Sequence, residues 1–228
     1  MLKSTFDGAI VSVIKPPGIS SFGVVRKIRH ASGVQRVGHA GTLDPFAEGV
    51  LVVGIGRSAT RRLGAICDRD KEYAADVRLG RATDTGDPTG KVISEQPVPA
   101  LSHDIIASAL NNFRGEIEQI PPRYSAVKVN GQRLYKLARR GVDVVRSPRR
   151  VTIYEIQLID FSDSGFQMQV VCSKGTYIRV LAEDIGKALG TVAHLSRLVR
   201  TRVGEFLLSE SEDLENLTAK LQAERLSE

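Results

Sequence analysis

The segment GHAGTLDPFAEG, residues 38–49, sets one carboxylate, Asp44, among small, apolar and turn-forming neighbours. Glycines at 38, 41 and 49 give the backbone freedom, while Pro45 fixes its own φ and pushes Asp44 toward an extended conformation. An acid posed in this way has two readings. It can bond its own backbone in an Asx turn and start a local turn, the commoner use of an Asp-Pro pair. It can also act as a nucleophile or general base, which asks for a close, mostly apolar pocket and one opposing cation to keep it ionised.

Several other chemistries fail on spacing. GIGRSA (54–59) lacks the third glycine of a dinucleotide fingerprint and opens no convincing βαβ unit. CSKGTY (172–177) lacks the first glycine and the full spacing of a P-loop. Neither HExxH nor GxSxG occurs, and His30, His39, His103 and His194 are scattered. Cys67 and Cys172 lie 105 positions apart with no second ligand near either, so both read as buried thiols. The site is therefore expected to work with no metal and no cofactor.

The elements that must position Asp44 are legible in outline. Ser20 or Ser21 can cap a helix with Phe22, Val25 and Ile28 on one side and Arg26, Lys27 and Arg29 on the other. Lys71 to Leu79 alternates, placing Tyr73, Ala75, Val77 and Leu79 on one face of a half-buried strand. DTGDPTG (84–90) is a turn cluster, followed by a returning strand. Ser102 caps a helix through Ile105, Ile106, Ala109, Leu110 and Phe113, stopped by Gly115. Asn130 and Gly131 mark a tight turn. Strands near 151–161 and 165–172 precede a helix carrying Ile178, Leu181, Ala182, Ile185 and Leu189. Strands outnumber helices without regular βαβ alternation, so an α+β fold with a mixed, largely antiparallel sheet flanked by helices is expected.

With 228 residues and 42% hydrophobic content, the chain can bury a substantial core, and the lack of a Ser/Gly linker favours one compact unit. The longest apolar run, Gly49 to Gly56, is too short for a bilayer, and the N-terminus has no signal-peptide pattern. A soluble, cytoplasmic protein is expected. The net charge is +6, but the last 20 residues hold six acids and two bases, so residues 1–208 carry 30 bases against 20 acids. Arginine dominates the basic clusters: Arg57, Arg61 and Arg62; Arg139 and Arg140; Arg146, Arg149 and Arg150; Arg197, Arg200 and Arg202. Guanidinium groups bind phosphate bidentately and stack on bases, so a nucleic acid is the first candidate partner and a solvated basic surface the alternative.

GHAGTLDPFAEGVL, KEYAADVRLGRATDTGD, YSAVKVNGQRLYKLAR and CSKGTYIRVLAEDIG, in that order, closely resemble the TruB-type tRNA pseudouridine synthases, which isomerise the T-loop uridine. The resemblance runs from about Ala9 to Phe206. It implies a pseudouridine synthase-like catalytic domain over 1–208, followed by a short acidic helical tail at 209–228 without the usual PUA-type module. Leu214, Leu217 and Leu221 are expected to pack that tail on the domain. By the same resemblance Asp44 is the catalytic aspartate, acting while the uracil is detached, turned and rejoined to ribose through carbon. Tyr73 stacks on the uracil and places its hydroxyl for proton transfer. Arg179 pairs with the aspartate, Tyr177 and Leu198 line the uridine pocket, and His39 fills the gap left by the flipped nucleotide. Taken without the family, Tyr73, Tyr177 and Leu198 are equally core residues, Arg179 a polar position on an amphipathic helix and His39 a structural histidine.

The implied partner is the T-arm stem-loop of tRNA, bound by a monomer without guide RNA. A uridine in a folded loop must be extruded before an acid can reach it, at a cost of a few kcal/mol. Two rival readings are a guide-dependent synthase resembling dyskerin and a tRNA-binding or folding module in which catalysis is secondary or lost.

Overall fold

The computed structural model of the chain describes residues 8–129 and 131–227. β1 (Ile10–Lys15) is followed by α1 (Ser21–Ser32), β2 (Val37–Ala40), β3 (Glu48–Ile55) and α2 (Arg57–Cys67). Next come β4 (Lys71–Leu79), the pair β5 (Arg81–Thr83) and β6 (Val92–Glu95), α3 (His103–Asn111) and β7 (Gly115–Gln119). The short β8 (Lys128–Val129), β9 (Gln132–Arg133) and α4 (Leu134–Arg139) precede the long β10 (Arg149–Ser162) and β11 (Gly165–Cys172). α5 (Ile178–Ala188), β12 (Ala193–Val203), β13 (Phe206–Leu207), β14 (Glu212–Asp213) and α6 (Leu214–Ser227) complete the order. Where the lack of a linker favours one compact unit, the chain forms two, the first from the chain up to Tyr73 and from Val199 onward, the second from Ala74–Leu198, because the chain crosses between them inside strands rather than through a linker.

In the first unit the strand order is β14-β1-β3-β12. β1 lies antiparallel along one edge of β3, from Ile10 opposite Gly54 to Lys15 opposite Gly49. The other edge is shared. β2 occupies it antiparallel from Val52 to Ile55, and β12 occupies it parallel at Glu48 and Gly49. The segment 41–47 therefore leaves the sheet where β2 gives way to β12.

β3, EGVLVVGI, is a continuous apolar run because both its faces are covered. Leu51, Val53 and Ile55 share a core cluster with Val24, Val25 and Ile28 of α1 and Leu214, Leu217 and Leu221 of α6. Val50 and Val52 face Leu63 and Ile66 of α2. Ser20 caps α1 by accepting from the Gly23 amide at 3.0 Å. Phe22, expected inside with Val25 and Ile28, is instead 59% exposed, with the Arg29 guanidinium 5.5 Å from its ring centroid. The burial stripe of α1 runs through Val24 instead, because the first-turn position of Phe22 points off the sheet.

In the second unit the order is β4-β11-β10-β7, with β10 antiparallel to both neighbours. Ala75, Val77 and Leu79 of β4 are buried as the alternation predicts. α3 ends at Asn111, before the expected stop, and Gly115 opens β7. Ile105 is 49% exposed while Ile106, Ala109 and Leu110 form the buried side of α3. Of the pairings described, β1 with β14 and β3 with β12 are parallel and the rest antiparallel, so the expected mixed, largely antiparallel α+β fold is what the chain adopts. Among the described residues no helix is long and apolar enough to cross a membrane. Cys172 is buried, and Cys67, expected buried, is only half-buried at the end of α2. Asn130, half of the expected tight turn, lies outside the described residues.

Candidate active site

Asp44 sits half-buried in the loop between β2 and β3, and the main chain around it is held at every step. The Leu43 amide donates to the Ser21 hydroxyl at 2.8 Å, and that hydroxyl donates back to the Leu43 carbonyl at 2.9 Å. The Asp44 carbonyl accepts from the Ala47 amide at 3.2 Å, the local turn that an Asp-Pro pair predicts. The Pro45 carbonyl accepts from the Gly18 amide at 2.8 Å and from Lys15 Nζ at 3.3 Å. Gly41 and Gly49 flank the loop at φ +85° and +110°, whereas Gly38 is an ordinary strand residue. Leu43 and Ala47 are buried beneath, so the carboxylate is carried on a backbone with little freedom to move.

Two buried cations lie under this loop. The Arg200 guanidinium, 1% exposed, donates from Nε to the Val50 carbonyl at 2.8 Å, from Nη2 to Gly41 at 3.2 Å and from Nη1 to Thr42 at 3.4 Å. It is thus withdrawn from the phosphate-binding cluster to which its sequence neighbours assign it, because the loop carbonyls satisfy its donors inside the fold. Lys15 is 0% exposed and donates from Nζ to the carbonyls of Pro16 and Ile19, both at 2.8 Å, as well as to Pro45. Burial pushes its amine down to about 8, an effect reinforced by Arg200 and opposed by the nearby carboxylates of Asp44 and Glu48.

His39 and Tyr73 belong to the same unit. His39 lies on β2 opposite Val53, half-buried, and Tyr73 is 8% exposed on β4. Its neighbour Glu72 accepts from the Thr201 hydroxyl at 2.8 Å and pairs with Arg202 at 3.3 Å, fixing the start of β4.

Tyr177, Arg179 and Leu198 belong to the second unit. Arg179, 3% exposed in the first turn of α5, donates to the carbonyls of Thr85 at 2.7 Å and Tyr124 at 2.9 Å and lies 3.7 Å from the Asp87 carboxylate. Asp87 is itself buried and accepts from the Thr85 hydroxyl at 2.8 Å and the Thr89 amide at 3.0 Å. The DTGDPTG turn is therefore a charged network that seats the arginine. The Gln119 side chain brackets Tyr177, accepting from its amide at 2.9 Å and donating to its carbonyl at 3.3 Å. Leu198 is 5% exposed on β12. Beside this group, Glu183 is pushed up by burial, partly offset by Lys187. From the sequence Arg200 is legible only as a member of a basic cluster and Asp87 only as a turn position, while Lys15 and Gln119 lie in strands that no local pattern marked.

A sequence model of the TruB family pseudouridylate synthase N-terminal domain matches residues 29–178. The chain belongs to the TruB family. The match takes in His39, Asp44, Tyr73 and Tyr177, and a second model, the tRNA pseudouridylate synthase B C-terminal domain, matches residues 179–228, which hold Arg179 and Leu198. The tRNA pseudouridine synthase B of Symbiobacterium thermophilum is 50% identical over 219 residues, covering 95% of this chain and 73% of that protein. That of Chromohalobacter salexigens is 50% identical over 200 residues, covering 88% of this chain and 64% of that protein. Among solved structures, a chain of a Cbf5-Nop10-Gar1 complex is 30% identical with a TM-score of 0.72, covering 94% of this chain. A chain of an archaeal box H/ACA sRNP Nop10-Cbf5 complex is 26% identical with a TM-score of 0.71. This TruB chain spans about half the length of those two chains, 54% and 56%.

Proposed function

We propose that this chain converts a uridine of tRNA, the one in the T loop, to pseudouridine, with Asp44 as the essential catalytic group and Tyr73 and Arg179 as its catalytic partners. His39, Tyr73, Tyr177 and Leu198 bind the extruded nucleotide. The observation that carries the reading is the Asp44 loop itself: each carbonyl from Gly41 to Pro45 accepts a hydrogen bond, so a single carboxylate is pre-positioned on a buried frame. Chemistry that breaks a glycosidic bond and remakes it to carbon asks for an acid held in this way and for no redox cofactor or metal.

Recognition of RNA rests on shape and phosphate contacts, with stacking at the extruded base. Arg57, Arg61 and Arg62 of α2 are exposed and make no ion pair among the described residues, which leaves them available to phosphate. The reading places the enzyme in the cytoplasm as a monomer acting on the T-arm without guide RNA. The two 50%-identical relatives, both tRNA pseudouridine synthase B, support tRNA as the target.

The test is incubation of the purified chain with an unmodified tRNA transcript and, separately, with an isolated T-arm stem-loop, no guide RNA added. Pseudouridine at the T-loop position in both is expected. Product only when a guide RNA is supplied would favour the guide-dependent reading, and tight binding without product would favour an RNA-binding module.

A further inference from the structure

We propose that Arg200 is a positioning residue for the Asp44 loop, a buried guanidinium that ties the entering and leaving arms of the loop to one another. This rests on the reading of Asp44 as the catalytic group. Its three hydrogen bonds go to main-chain carbonyls on both sides of the loop: Gly41 and Thr42 on the way in, Val50 on the way out. A charged group is taken out of water only where its donors are met, and here the loop conformation meets them. The dependence runs both ways. If the loop shifts, the guanidinium is left buried with orphaned donors, so loop and arginine hold each other in one arrangement.

The sheet register shows why this position can reach both arms. Gly49 is opposite Lys15 across one edge of β3 and opposite Arg200 across the other, so the three residues form a row across adjacent strands. The central member has no side chain. At φ +110° it lets the loop leave β3, and a Cβ there would stand 2.3 Å from the Arg200 carbonyl oxygen. The close approach of β12 to the root of the loop therefore requires glycine at 49, and it delivers the Arg200 side chain under Gly41 and Thr42. A lysine at 200 could supply charge and one ammonium, but not three donors from a planar fork spanning two arms.

The experiment uses the full chain with unmodified tRNA transcript as substrate and compares Arg200→Lys, Gly41→Ala and Asp44→Asn with wild type. Single-turnover rate at saturating enzyme, transcript affinity and urea-unfolding midpoint are measured for each. Arg200→Lys is expected to stay folded and bind within about threefold while its rate falls roughly ten- to a hundredfold, as displacement of a catalytic group by about 1 Å does. Wild-type rate in folded Arg200→Lys, whatever its stability, overturns the inference, because a merely structural role moves the midpoint and leaves the rate of folded enzyme alone. Should Arg200→Lys fail to fold, Gly41→Ala decides by the same readouts. Its Cβ meets nothing closer than 3.9 Å, but at φ +85° an alanine strains the backbone, so the change acts on the main chain at the carbonyl that accepts from Nη2; a lowered rate with retained binding supports the inference and an unchanged rate overturns it. Asp44→Asn separates the two claims. Near-normal turnover there overturns the catalytic reading and the inference with it, whereas loss there with full rate in the other variants overturns the inference alone.

Discussion

Lys15 makes the stability of this fold depend on pH in an unusual direction. Its amine, ordinarily at 10.5, is pushed down to about 8 by burial under the Asp44 loop. Between those values the unfolded chain holds a proton that the folded chain has released, so raising the pH favours folding. The slope from this one group is at most about 1.4 kcal/mol per pH unit, and the whole rise at most roughly 3 to 4 kcal/mol. Below pH 8 both states are protonated and the penalty of burying the ammonium is fully present. Urea denaturation of wild type and Lys15→Met, run from pH 7 to pH 10.5, isolates the group, because every other titration cancels in the difference between the two curves. Wild type should gain on the variant through the window from about 8 to 10.5. Asp44 opposes the lowering of the lysine, so in Asp44→Asn the gain should begin at lower pH. Parallel curves for wild type and Lys15→Met would refute the placement of a titrating amine beneath the loop.

Tyr73→Phe keeps the ring and removes the hydroxyl; the single-turnover rate should fall roughly a hundredfold or more with transcript affinity nearly unchanged, and an unaltered rate would deny the hydroxyl a chemical role. Asp87→Ala removes the buried carboxylate that lies 3.7 Å from the Arg179 guanidinium. Urea unfolding should show a loss of about 3 kcal/mol, and turnover should slow; a midpoint within error of wild type would mean that the pair contributes nothing. Replacing Arg57 and Arg61 together by glutamine should make the plot of log affinity against log salt shallower by about 1.4 while saturating turnover is retained; an unchanged slope would show that α2 does not touch the RNA backbone.

What the sequence made legible is what local pattern encodes. Asp44 stood out because its neighbours are turn formers, the strict alternation of β4 gave a strand with Tyr73 on its buried face, and the spacing of Ile178, Leu181 and Ile185 gave α5 with Arg179 in its first turn. The buried cations were not legible. Arg200 lies in AHLSRLVRTRV, whose burial follows no two-residue period, and beside Arg197 and Arg202 it looks like one more solvent-facing arginine. Its acceptors, Gly41, Thr42 and Val50, are at least 150 positions away in the chain, so only tertiary structure brings them within reach. Lys15 is hidden for the same reason, its more distant acceptor being supplied by Pro45. Asp87 was masked by its setting: DTGDPTG has the composition of a turn and is one, and the buried arginine it seats comes from α5. α2 is faint in the sequence because RSATRRLGAIC spends its polar positions on arginine and leaves only Ala59, Leu63 and Ile66 to mark the buried stripe.

The central claim is that one pre-positioned carboxylate carries the chemistry. Asp44→Asn preserves the shape of the side chain and leaves in place every main-chain hydrogen bond that shapes the loop, so its fold and transcript binding should stay within a few-fold of wild type. In a single-turnover assay on unmodified tRNA transcript without guide RNA, wild type should yield pseudouridine in the T loop and Asp44→Asn none above background. Product formation by Asp44→Asn at a rate near that of wild type would contradict the account.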